Sequence, residues 1–65
     1  MKVKHAFVYK HKDYVYKVAV EADKTLYILN DDVSGCLALH IADRINESKV
    51  FDRPSFSSIA ELFSK

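Results

Sequence analysis

Cys36 and His40 stand four residues apart, a spacing that brings two side chains to one side of a helix, and they are the nearest thing to a chemical pair in this chain. A thiol beside an imidazole can ligate zinc or act as a nucleophile with its base. Two ligands make only half a metal site, and the other histidines fall elsewhere, His5 in a strand-like segment and His11 in a polar turn. No Cys-x-x-Cys or His-x-His spacing completes the set, so neither a metal nor any other cofactor is expected. Cys36 itself lies in an apolar helical stretch, where a lone thiol is expected to pack rather than react.

The acids Asp31, Asp32, Asp43 and Glu47 offer general acid-base chemistry or magnesium ligation only if they converge. The first two fall where a helix should begin and the others in its later turns, so they read as caps and solvated positions. Gly35 is the only glycine, which excludes a glycine-rich phosphate loop. Nothing in the sequence names a reaction, and the chain is expected not to be an enzyme.

The elements that position these side chains follow from periodicity. Val3, His5, Phe7 and Tyr9 alternate with Lys2, Lys4, Ala6, Val8 and Lys10, and Tyr14 to Ala22 alternates in the same way, so two strands flank the polar turn at His11-Lys12-Asp13. Facing pairs whose numbers sum to 25 set Tyr9 against Tyr16, Phe7 against Val18, His5 against Val20 and Val3 against Ala22, all on a core face. The opposite face then sets Lys4 against Glu21, Val8 against Lys17 and Lys10 against Val15. A third strand, Lys24 to Asn30, follows the turn at Asp23-Lys24 and is apolar on both sides.

Asn30, Asp31 and Asp32, with Ser34 as the alternative, can cap a helix running from 33 to about 47. Val33, Leu37, Ile41 and Ile45, widened by Ala38 and Ala42, form its buried stripe, while Leu39 points away. Lys49 to Pro54 is a connector in which Val50 and Phe51 either add a short strand or plug the core. A last helix begins at Ser55 or Ser58 and presents Phe56, Ile59, Ala60 and Phe63. The expected fold is therefore one α+β domain spanning residues 1–65: a three-stranded antiparallel β-meander followed by two helices (β-β-β-α-α), the helices packed on one sheet face.

The run Asp32-Val33-Ser34-Gly35-Cys36 after a short meander resembles the segment following the first strands of HicB-type antitoxins, which resemble a degraded ribonuclease-H half. Those five residues lack that family's proline before Gly35, and helix-like sequence stands where the family has a further loop. No function is carried over from this resemblance.

Composition bounds the rest. Residues 1–17 hold five lysines against one acid, while residues 18–48 hold two basic residues against six acids. A net charge of only +1 is lower than a dedicated nucleic-acid binder usually carries. One cysteine allows no intrachain disulfide, which favours a reducing, cytoplasmic setting, and no apolar run approaches a membrane span. At 49% apolar the chain is rich enough to fold, yet at 65 residues it profits from a partner. Lys2, Lys4, Lys10 and Lys17 are expected to rim an apolar centre that includes Val8 and Val15, with Leu39 as a second contact, and such anatomy suits a protein partner or self-association. Nucleic acid on the basic hairpin is the alternative.

Overall fold

The computed structural model describes residues 3–61. Three consecutive hairpin-joined strands, β1 (Val3–Lys12), β2 (Val15–Ala22) and β3 (Thr25–Leu29), lead into helix α1 (Gly35–Ser48); a 3-10 turn at Arg53–Ser55 then delivers β4 (Phe56–Glu61). All neighbours are antiparallel and the sheet order is β1-β2-β3-β4. The fold is α+β, the described residues forming one helix on one side of a four-stranded meander.

The expected last helix is a strand. Its short i, i+3, i+4 pattern is too brief to hold a helix alone, whereas the same residues complete the exposed edge of β3, pairing Phe56 with Leu29 and Ser57 with Ile28. Phe56 is buried in the core rather than on a helical face. Phe63 of the expected stripe lies outside the described residues.

The register of the first hairpin also differs from expectation. Val3 does face Ala22, but Lys4 forms a one-residue bulge, beyond which Phe7 faces Ala19, Val8 faces Val18 and Tyr9 faces Lys17. A bulge exchanges the two sides of everything after it. Ala6 and Val8 therefore turn towards α1, and His5, Phe7 and Tyr9 turn away from it. The physical reason is visible on the helix side: small Ala6, fully buried, lets α1 come close to β1, where the regular register would have placed His5 and two large rings. Asn46 exploits that approach. Its amide oxygen accepts from the Ala6 N–H at 2.8 Å and its amide nitrogen donates to the Ala6 carbonyl at 2.9 Å, satisfying an edge strand's outward backbone groups.

Helix α1 is capped by Ser34, whose hydroxyl accepts from the Leu37 N–H at 3.3 Å. It closes at Lys49, a left-handed residue (φ 62°) whose N–H reaches the Ile45 carbonyl at 2.7 Å. Its buried line is Ala38, Ala42 and Ile45. Leu37, expected within that stripe, is half exposed, because the small alanines let the helix settle on β1 and β2 along their own face. Val33 precedes the helix and pairs with Tyr16 as an isolated bridge. Gly35 allows a close approach rather than backbone freedom: a Cβ there would stand 3.3 Å from the Tyr16 ring, which would have to give by a few tenths of an ångström.

Aromatic residues fill the part of the core side that α1 does not reach. Phe51 lies 5.3 Å from Tyr27 and meets Phe56 edge-on at 5.2 Å, so the connector plugs the core as one of the two expected outcomes, with Val50 left exposed. Arg53 sits over the Tyr27 ring at 5.6 Å and donates to its hydroxyl at 3.3 Å.

Candidate binding face of the sheet

Because α1 and the aromatic plug occupy one side, no described element covers the other side of the sheet. The strand registers set its central row as Phe7, Ala19, Ile28 and Ser57, one residue from each strand. Tyr9 continues the face towards the β1–β2 turn, and Leu26 continues it in the other direction. Ile59 joins from β4 and is 58% exposed. Phe7 (39%) and Tyr9 (36%) are large rings left in water, and with Ile59 they wall a shallow depression of about 610 Å³ whose floor is Ala19. An apolar concavity of this kind exceeds the scattered exposed side chains that any soluble surface carries.

Chemistry at this face is poor in free charge. Lys17 is only 13% exposed; its ammonium donates to the Leu29 and Asn30 carbonyls, each at 3.2 Å, and pairs with Asp32 at 3.0 Å. That hydrogen bond holds the Asp32 carboxyl below the usual carboxylate range, with the same lysine's charge adding to the effect. Lys17 thus ties the end of β3 to the approach to α1. Lys4 reaches Glu21 at 3.6 Å, the cross-strand pair expected from the sequence, and Lys10 pairs with Asp13 at 3.3 Å.

The expected site residues do not converge. Val8 lies against the core on the helix side, as the shifted register demands. Val15 sits beside the β1–β2 turn, paired with Lys12 rather than with Lys10. Leu39 is 58% exposed on α1, on the opposite side of the molecule from the uncovered face. Lys2 lies outside the described residues. The lysine-rimmed patch of Val8, Val15 and their neighbours is thereby replaced by a ring-and-aliphatic face built on Phe7, Tyr9, Ala19, Ile28 and Ile59.

A signal for that face was present in the sequence. Lys4 and His5 are two consecutive polar residues between apolar Val3 and Ala6, which is how a bulge interrupts alternation. His5 stacks on Phe7 at 5.6 Å, placing both on one side of β1. Cys36 is exposed rather than packed, and among the described residues no three His, Cys, Asp or Glu side chains gather where they could hold a metal ion. No helix among them is long and apolar enough to cross a membrane. No family model, curated protein or solved structure matches this chain.

Proposed function

We propose that this chain is a non-enzymatic module that binds protein, acting as a regulator or inhibitor through the uncovered face of its sheet. The observation that supports this is the combination of Phe7, Tyr9, Ile28 and Ile59 around a low centre at Ala19, with the neighbouring lysines engaged by the chain's own carboxylates. An apolar centre with few unpaired charges matches the middle of a protein interface. Its ligand is a surface of similar character, and a reducing compartment suits the exposed thiol of Cys36.

The test is affinity capture from the cell of origin with quantitative mass spectrometry. Phe7→Glu and Ile28→Glu are expected to reduce the retained protein by at least about tenfold, since each places a charge in a desolvated contact. Leu39→Glu, on the far side, is expected to leave it unchanged. Equal retention by all three folded variants defeats the proposal.

Nucleic acid is the second reading, favoured by one observation: His5, Phe7 and Tyr9 form an outward ring strip on β1, and rings on an open sheet can stack bases. Against it, Lys4, Lys10 and Lys17 are all paired within the chain, which weakens the positive field a phosphate backbone needs. Fluorescence polarisation with short single-stranded RNA and DNA at low salt separates the two. Salt-sensitive binding lost in Tyr9→Ala supports the nucleic-acid reading.

A further inference from the structure

We infer that the partner seated on this face is a second copy of the same chain, packed sheet to sheet about a two-fold axis parallel to the strands. The inference rests on the protein-binding reading above and adds the identity and geometry of the partner. It is carried by the relief of the central row. From β1 to β4 that row runs tall, low, tall, low: the Phe7 ring, the Ala19 methyl, the Ile28 side chain and the Ser57 hydroxymethyl. A two-fold axis along the strands lays β1 over the partner's β4 and β2 over the partner's β3. Within that row each large side chain then meets a small one, Phe7 over Ser57 and Ile28 over the dip above Ala19, which is itself only 1% exposed, twice by symmetry. An axis perpendicular to the strands would instead set Phe7 on Phe7 and Ala19 on Ala19, leaving a void beside a clash. An isologous contact demands self-complementarity of this kind, and nearly aligned strands are an ordinary arrangement for two stacked sheets.

Charge supports the same occupant. Lys4 and Lys17 are balanced by Glu21 and Asp32, so two copies of the face meet without like-charge conflict at their centre. Area sets the strength. Four strands about 4.8 Å apart and roughly seven residues long span on the order of 400 Å² per copy. Two such faces together fall at or below the lower limit of specific interfaces, which makes this a reversible dimer.

Sedimentation equilibrium of the full chain tests the inference, with half-dimerisation expected on the order of 0.1 mM. Ile59 lies beside Ser57 and, in this arrangement, near the partner's Phe7. Phe7→Glu alone and Ile59→Lys alone should each raise the dimer dissociation constant at least about tenfold, whereas an equimolar mixture of the two should regain a heterodimer, because one of the two symmetry-related contacts becomes an ion pair and the other stays native. Circular dichroism of each variant establishes that it is folded. A strict monomer up to about 1 mM overturns the inference, as does a dimer that both folded variants leave intact or a mixture that stays monomeric. If the chain is a strict monomer while Phe7→Glu still abolishes capture of a different protein, only the self-association falls and the protein-binding reading stands.

Discussion

Asn46 is the residue on which the docking of α1 to β1 most visibly depends. Replacing it with alanine removes both partners of the Ala6 backbone pair and leaves those groups half-buried. Asn46→Ala is expected to lower stability by about 1 to 3 kcal/mol, read from the urea midpoint at unchanged slope. Lys24 works in the opposite direction. Asp23 (φ 50°) and Lys24 (φ 64°) are both left-handed, as the tight two-residue turn between β2 and β3 requires, yet neither is glycine. Lys24→Gly is expected to stabilise by roughly 0.5 to 1 kcal/mol, measured in the same titration. Asp32 supplies a pH dependence of definite sign. Its pKa is depressed in the folded state, so its contribution is complete above the unfolded carboxylate value and is lost as pH falls through the lower folded value. Lys17→Met should flatten that acid limb in an NMR titration of the Asp32 carboxyl and return its midpoint towards the ordinary range.

Among the elements, β4 and the connector before it close the side of the core that α1 does not reach. Phe51→Ala is expected to cost about 2 kcal/mol, less than a fully enclosed ring would, because the ring is only half-buried between Tyr27 and Phe56. Thermal unfolding read by tyrosine absorbance checks this. These elements also show which parts of the fold were legible in the sequence. Alternation located β2 and β3 to within a residue at each end and the helix to within two, because each carries its own periodic signal; the cap proved to be Ser34, the alternative to Asn30, Asp31 and Asp32. β4 was not legible: Phe56 and Ile59 stand three apart, as on a helix, and only the free edge of β3 makes that segment a strand. The orientation of β1 was missed for a different reason. A strand's faces are relative until something fixes them, and here the fixing contact is Asn46, forty residues away from Ala6. The candidate site followed the strand. The prediction of an apolar, partner-seeking sheet face survives as a proposal, but the residues forming it changed places with those of the core.

At the scale of the molecule, the described residues place one helix on a four-stranded sheet, a two-layer body with its apolar residues unequally divided between the layers. The most deeply buried residues, Val18, Val20, Ala22 and Ala38, are small, with Tyr27, Leu29, Ile45 and Phe56 closing the core around them, while Phe7 and Ile59 stay in water. Association would recover part of that unburied area, so stability and self-association should be linked. The melting temperature is expected to rise by a few degrees between about 10 µM and 1 mM chain, through mass action on a dimer that only the folded state forms. Differential scanning calorimetry across that range checks it, and the Ile59→Lys chain should show a clearly smaller rise.

The bulge at Lys4 bears on how this gene can change in length. A coding deletion at position 4 would remove the surplus residue and leave a strand regular as far as Lys10, in which Val3 still faces the helix and Phe7 the uncovered side, at the loss of one exposed ion pair. Removing Phe7 or Val8 would instead interchange the two sides of part of the strand and drive the Tyr9 ring beneath α1. Length variation in the first strand should therefore be tolerated at its two irregularities, Lys4 and His11, and excluded at Phe7 and Val8 between them.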